Sequence, residues 1–388
     1  MILRGNLIED HRVITLRIER GKVSRVEPLQ KRSRLGREDL GLYITRGFFD
    51  PQVNGFAGVD FNSKDLIPAD IHRAAHAILT TGVTAFFATL ITASYEKLIR
   101  QLKIVREAIE CNPLISKMCK GIHLEGPYIS SSEGPKGIHP PQFIRSPQWD
   151  EFEKFQEACG GRIKLITLAP EKEGGLDFIE KAVSNGVVVA IGHTEASEEV
   201  LDRAYEAGAR LSTHLGNGLG NKLPRYRNPF QKQLAMDGLM ASIIVDGIHL
   251  PDYVIKNIIR AKGSERLLLC TDAMAASTQP PGKYRLADLE VEVSKDGRAL
   301  WAQTGALAGS TLTIPKAVTN LMKFTGIDLG TAVNMANENG RKLFPDMIGT
   351  ISPGQPANLV LFRFDGEIKV ERVIFMGEEI QPISSSRS

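Results

Sequence analysis

Apolar residues near the start of the chain fall in short runs, Met1–Asn6, Val13–Ile18 and Val23–Val26, with Gly21 at a turn before the last of them. No helical period passes through these runs, so they read as short strands. Beyond residue 47 the rhythm changes. Eight apolar, β-branched runs alternate with amphipathic segments: Phe48–Val53, Val83–Ala88, Gly121–Leu124, Ile163–Leu168, Val187–Ile191, Leu211–His214, Ala241–Val245 and Leu267–Cys270. Strands spaced by helical segments are the pattern of a parallel sheet built from βα units, and eight of them suggest a closed barrel. Helices are expected at Pro68–Thr81 closed by Gly82, from a Ser94 cap to about Glu110, at Leu176–Asn185 closed by Gly186, and at Ser197–Ala207 closed by Gly208. Proline just inside a helix start and glycine just past its end are the usual punctuation.

The segment Leu289–Trp301 breaks this rhythm, because two alternating runs flank Asp296-Gly297, a dipeptide suited to a tight hairpin turn. A β-hairpin inserted after the eighth strand, near 288–302, is therefore expected. Helical pattern resumes near Ile314–Thr325 and Thr331–Asn339. Gly349-Thr350-Ile351-Ser352-Pro353-Gly354 then introduces strands at Asn358–Phe364 and Lys369–Met376. Both ends are thus β-rich. The expected architecture is α/β: a (β/α)8 TIM-like barrel over 48–347, and a small β-sandwich assembled from 1–47 and 348–388.

Composition narrows the function classes more than it names one. With 42% hydrophobic and 24% charged residues the chain reads as globular and not disordered. The net charge is +3, and basic residues are scattered among acids except at Lys31–Arg37. That stretch reads as a solvated loop, since phosphate-backbone binding needs a clustered basic face, and nucleic acid is not an expected partner. No run approaches the roughly 18 apolar residues of a membrane span. The opening Met-Ile-Leu-Arg-Gly-Asn lacks the apolar core and cleavage site of a secretory signal, so a cytoplasmic location is expected and a membrane partner is not. Cys111, Cys119, Cys159 and Cys270 form no CxxC pair, which suits a reducing compartment. Low complexity is confined to the Ser-rich tail, Ser384–Ser388.

The chemistry sits where the apolar runs end. In a (β/α)8 barrel the active site lies at the C-terminal ends of the strands. Here the first run leads into Asp50, Gln52 and Asn54, the third into Glu125, and the fifth into His193. The sixth contains His214, the seventh leads to Asp246 and His249, and the eighth ends at Asp272. One carboxylate and two imidazoles from three strands, Glu125, His193 and His214, make a three-ligand set of the kind a catalytic metal uses, with a position left for water. Bound zinc can lower the pKa of a water from about 15.7 to about 7. Asp272 is the natural acid-base partner for moving the proton. The same ligand set also suits iron, manganese or cobalt, according to supply. Taken singly, each of these histidines reads as a hydrogen-bonded structural residue; their joint placement at strand ends is what points to a metal. His72 and His76 stand at i, i+4, but His-Arg-Ala-Ala-His lacks the glutamate of a metalloprotease helix, so both read as helix residues without a catalytic role. His11, in the terminal sheet region, reads the same way.

The same residues carry a resemblance. Gly47-Phe48-Phe49-Asp50-Pro51-Gln52-Val53-Asn54-Gly55, His123-Leu124-Glu125-Gly126-Pro127, Lys136-Gly137-Ile138-His139 and Ile191-Gly192-His193-Thr194 recur in order. Thr213-His214-Leu215, Asp246-Gly247-Ile248-His249, Thr271-Asp272-Ala273 and Leu307-Ala308-Gly309-Ser310-Thr311 follow them. Together, over nearly the whole chain, they resemble the amidohydrolase superfamily and, within it, the N-acetylglucosamine-6-phosphate deacetylase family. His-Leu-Glu-Gly-Pro is the most specific of the set. Many superfamily members hold a second metal with a His-x-His pair after the first strand. Gln52-x-Asn54 replaces it here and resembles a one-metal branch.

The resemblance implies one divalent metal per subunit, zinc first, on Glu125, His193 and His214. It further implies Asp272 as general base and then general acid, and His249 polarising the acetyl carbonyl or contacting substrate. His139 is similar in position to a residue that binds a sugar hydroxyl, and Leu307 to one that lines an acetyl pocket. For the phosphate it points to backbone amides near Asn217 and Gly218 and to the guanidinium of Arg227, a group suited to bidentate phosphate contacts. In that segment Leu215-Gly216-Asn217-Gly218-Leu219-Gly220 and Pro224-Arg225-Tyr226-Arg227-Asn228-Pro229 depart from the family pattern, and Arg225 and Arg227 also fit solvated loop charges. The implied partners are a small amino sugar phosphate and a second copy of the chain in a homodimer. The implied reaction is deacetylation of N-acetylglucosamine 6-phosphate. Deacylation of N-acetylgalactosamine 6-phosphate, of another N-acyl amino sugar or of a cyclic amide stays open beside it, as does a non-catalytic sugar-phosphate-binding barrel.

Overall fold

The computed structural model describes residues 1–29, 41–220 and 222–380; the Lys31–Arg37 stretch and the Ser-rich tail lie outside these. Eight strands form one parallel sheet in the order of the chain: β1 Phe48–Val53, β2 Val83–Ile91, β3 Cys119–Glu125, β4 Ile163–Leu168, β5 Val188–Ile191, β6 Leu211–Ser212, β7 Met240–Ile243 and β8 Leu267–Leu269. The ring closes where Val53 bridges Ala273 in parallel and the Asn54 N–H donates to the Ala273 carbonyl at 2.8 Å. Buried Asp50 fastens the seam by accepting the Thr271 hydroxyl at 2.6 Å, and burial pushes its carboxyl up to about 7. The expected α/β barrel is the observed one.

Two apolar layers hold it. Between the strands and the surrounding helices lies a continuous core that includes Phe86, Ile122, Phe152, Ile166, Ile243 and Leu269. Inside the ring, Phe49, Phe87, Leu165, Leu211 and Leu268 fill the lower half. Phe344, from the segment after the last helices, plugs that end with its ring centroid 4.9 Å from Phe87 and 5.7 Å from Phe49. A side chain of this size, fully buried, contributes roughly 1.5–3 kcal/mol. The packed floor leaves the opposite mouth to carry polar groups.

The expected helices occur at Pro68–Thr80, Tyr95–Cys111, Gly175–Ser184 and Glu198–Glu206. Ser94 and Ser197 cap two of them by accepting backbone N–H bonds from Lys97 and Val200. Helices at Trp149–Cys159 and Asp252–Lys262 were not expected; neither Gln148 nor Pro251 supplies a side-chain cap. His72 is exposed and His76 half-buried on the first helix. Among the described residues no helix is long and apolar enough to cross a membrane.

The two chain ends share a seven-stranded sheet. Its centre is Leu42–Arg46, a strand not expected from the sequence, which pairs in parallel with Ile2–Leu7 and antiparallel with Leu359–Phe364. The sheet curls until its distant parts meet, with Val23 N–H donating to the Gln355 carbonyl at 2.9 Å, and encloses its own core of Leu3, Ile14, Leu16, Ile44, Leu359 and Leu361. The insertion is larger than a hairpin. Leu289–Val293 and Ala299–Trp301 pair about Asp296-Gly297 as expected, but Gly282–Leu286 adds a third strand.

Candidate metal centre and catalytic cavity

Each residue of the cluster reaches the barrel mouth because its strand has just ended. Glu125 is the last residue of β3, while His193, His214 and Asp272 follow β5, β6 and β8 at positive φ (51°, 29° and 51°). Left-handed backbone at a non-glycine residue is uncommon and costs energy, and such strain gathers at functional sites. Here it turns three side chains away from the strand direction toward the barrel axis.

Glu125 Oε1 lies 2.9 Å from His214 Nε2 and 3.3 Å from His193 Nε2, and the two ring nitrogens are 3.2 Å apart. A tetrahedral ion with ligands at about 2.0–2.1 Å spaces them about 3.3 Å from one another. The three atoms therefore stand at the corners such an ion requires. All three side chains are buried. His193 Nδ1 lies 2.7 Å from the Pro135 carbonyl, which can only accept, so Nδ1 carries the proton and Nε2 presents its lone pair to the cluster. Burial drives the Glu125 carboxyl upward, but the two imidazoles beside it, His193 and His214, outweigh burial and hold the group well below the usual carboxylate range. The residues fit a divalent cation in charge, donor type and spacing.

Gln52 and Asn54 surround this centre. Gln52 Nε2 donates to Glu125 Oε1 at 2.9 Å and to Asp272 Oδ1 at 3.0 Å, and Asn54 Nδ2 donates to Asp272 Oδ1 at 2.6 Å. Both amides thus steer carboxylates of the centre. Burial, then the charge of Glu125, pushes the Asp272 carboxyl up to about 6. On the other side, His249 Nδ1 lies 2.6 Å from Asp246 Oδ2. His139 Nδ1 lies 2.8 Å from Thr92 Oγ1, and burial, then His193, lowers the pKa of His139 to about 3, which keeps it neutral.

One cavity of about 150 Å³ collects these groups: Glu125, His193, His214, Asp272, His249 and His139 line it together with Asn54, Asn217, Gly218 and Leu307. Its apolar wall is Ile91, Ile138, Ile244, Leu286 and Leu307. Gly218 approaches so closely that a Cβ there would stand 2.9 Å from His193 Nδ1. Arg227 is the one residue of the expected set that the structure does not bring in. It is exposed and lines an adjoining groove of about 580 Å³ with Glu133, Pro135, Thr194 and Lys222. Ile91, Thr92 and Leu286 were absent from the expected set. The first two escaped it because β2 runs three residues past the expected Ala88. Leu286 comes from the unexpected third strand of the insertion.

Residues 43–380 match the amidohydrolase family. Over 365 residues the chain is 31% identical to N-acetylglucosamine-6-phosphate deacetylase of Bacillus subtilis (strain 168), with 93% of this chain and 89% of that protein covered. Over 346 residues it is 32% identical to N-acetylgalactosamine-6-phosphate deacetylase of Shewanella sp. (strain ANA-3), covering 89% and 84%. Among solved structures, a mutant N-acetyl-D-glucosamine-6-phosphate deacetylase from Mycobacterium smegmatis, in complex with N-acetyl-D-glucosamine-6-phosphate, superimposes with a TM-score of 0.88 at 30% identity, over 98% of this chain and 99% of that one.

Proposed function

The chain belongs to the amidohydrolase family, and from that premise we propose that it hydrolyses the acetamide of N-acetyl-D-glucosamine 6-phosphate to D-glucosamine 6-phosphate and acetate. The family generally uses a divalent metal, and Glu125, His193 and His214 are the residues that would hold it here. A single ion, zinc before iron, manganese or cobalt, suits this set. The observation that carries the reading is the convergence of that cluster with Asp272 in one small, partly apolar cavity.

A bound cation supplies Lewis acidity at the carbonyl and a lowered pKa for water. The chain's own residues do the rest. Gln52 and Asn54 both donate to Oδ1 of Asp272, so Oδ2 faces the reacting atoms and takes the proton of the attacking water. As the C–N bond breaks, the same oxygen returns that proton to the leaving nitrogen, and a free amine and acetate result. His249 turns toward the carbonyl oxygen, where charge develops. Neutral His139 meets a sugar hydroxyl, Leu307 faces the acetyl methyl, and the amides of Asn217 and Gly218 lie toward the phosphate. Arg227, exposed beside Leu223 and Tyr226, reaches a phosphate in its own or a neighbouring subunit's site within a homodimer. The same reading puts the enzyme in the cytoplasm and divides it into a barrel at 48–347 and an end-built sheet unit from 1–47 and 348–388.

Acetate release from a panel of N-acyl amino sugars, each with and without the 6-phosphate, tests this. The expected result is the highest kcat/KM for N-acetylglucosamine 6-phosphate and a large loss without its phosphate. Equal rates on phosphorylated and unphosphorylated sugars would overturn it. The galactosamine epimer is the second, less favoured reading, because a deacetylase of that sugar is also similar over most of its length.

A further inference from the structure

Asp246 lies beyond the metal cluster, yet its carboxylate is built into the site with unusual completeness. Oδ1 accepts the backbone N–H groups of Ile248 at 2.8 Å and His249 at 2.9 Å, while Oδ2 lies 2.6 Å from His249 Nδ1. Both side chains are almost wholly covered, at 8% and 7% relative exposure. The loop can wrap its own carboxylate because Gly247 sits at φ +75°, where a Cβ would also press to 2.9 Å from the Phe324 ring.

We propose that Asp246 is a positioning residue for the deacetylation: it fixes the plane of the His249 ring and keeps the proton on Nδ1, so that Nε2 is the atom presented to substrate. This rests on the reading that His249 faces the scissile amide. An ionised carboxylate only accepts, so a bond of 2.6 Å requires hydrogen on Nδ1. The imidazole Nε2 then accepts from substrate when the ring is neutral, and donates to a developing oxyanion when the ring carries both protons. In the second case Asp246 offsets a charge that the cavity would otherwise hold uncompensated. Its own carboxyl suits that work. Burial drives it upward, but the His249 hydrogen bond outweighs burial and holds it below the usual carboxylate range.

Asp246→Asn separates this from a merely structural role. The two backbone N–H groups still demand an oxygen at the Oδ1 place, so the fold of the loop is kept and the new NH2 faces His249 Nδ1. That nitrogen must become an acceptor, and the neutral ring moves its proton to Nε2. Heteronuclear NMR of the histidine ring nitrogens in the zinc-loaded protein should find Nδ1 protonated in the wild type and Nε2 protonated in D246N. With N-acetylglucosamine 6-phosphate, kcat should fall about 10²- to 10⁴-fold with little change in KM. The same substitution made in a His249→Asn background should cost almost nothing further. An unchanged Nδ1 proton in D246N, or an equal loss of kcat in the His249→Asn background, would overturn the proposal. If no amino sugar phosphate is turned over even by the wild type, the reaction assignment fails, while the ring-nitrogen spectra still decide the role of Asp246.

Discussion

Asn54 donates its amide hydrogen to Oδ1 of Asp272 at 2.6 Å, from the far side of the seam where β1 meets the end of β8. Gln52 donates to the same oxygen at 3.0 Å, and no described group donates to Oδ2. The carboxylate is therefore asymmetric, with one oxygen held and the other available to a proton.

Asp272→Asn should exploit that asymmetry. The two amide donors require an oxygen opposite them, so the new NH2 takes the place of Oδ2, where it cannot accept a proton. Turnover should fall by about 10³-fold or more, given the usual weight of a positioned acid-base group, while metal content and melting temperature stay near those of the wild type. Steady-state kinetics with metal analysis of the same preparations checks this. Turnover within about tenfold of the wild type would remove Asp272 from the proton path, since general acid-base groups carry more than that.

Metal removal should weaken the fold as well as the activity. An ion bound by the native state alone stabilises it by about 4 kcal/mol at a concentration roughly a thousandfold above its dissociation constant. Chelation should lower the melting temperature and abolish turnover, and zinc should restore both. Glu125→Gln should lower metal content and flatten that response, because it removes the only carboxylate of the three-residue cluster. An equal thermal shift in Glu125→Gln and the wild type would mean that the ion sits elsewhere.

Much of this was legible in the linear order of residues. Strand ends in a parallel barrel follow from where apolar runs stop, so Glu125, His193, His214, His249 and Asp272 could be placed at one mouth without coordinates. What could not be read are contacts made by chain that leaves its own unit. Leu286 enters the cavity from an inserted sheet, and Phe344 closes the floor from beyond the last helices. Nor does sequence say that an amide such as Gln52 spans Glu125 and Asp272, since that depends on barrel closure to within tenths of an ångström.

The floor plug offers a stability test away from the chemistry. Phe344→Ala should destabilise by about 3–5 kcal/mol, the usual cost of emptying an aromatic site, because its ring packs between Phe49 and Phe87. Denaturant unfolding measures this, and kcat at low temperature should be nearly unchanged. A cost below about 1 kcal/mol, far under that of an emptied aromatic site, would show that the lower barrel closes without it.

Asp60 provides a pH test that does not involve the metal. Its carboxylate is buried beneath the insertion, where Oδ1 accepts the Asn62 N–H at 2.8 Å and Oδ2 the Ala287 N–H at 2.7 Å. Burial, opposed by those two bonds, pushes its pKa from 3.8 up to about 7. The folded state therefore keeps this proton over a range in which the unfolded chain has lost it. Stability from this group is intact below about pH 4, declines as pH rises toward about 7, and is level above that. Every tenfold difference in proton affinity between the folded and unfolded chain is worth about 1.4 kcal/mol. Asp60→Asn cannot titrate, and it sets an NH2 against one of the two N–H donors, a cost that does not vary with pH. The wild type should therefore exceed D60N in unfolding free energy by most near pH 4, and that margin should shrink by a few kcal/mol by about pH 7. Urea unfolding of both proteins at several pH values measures the margin. A constant margin across that range would mean that Asp60 is ionised throughout and that its two N–H partners outweigh its burial.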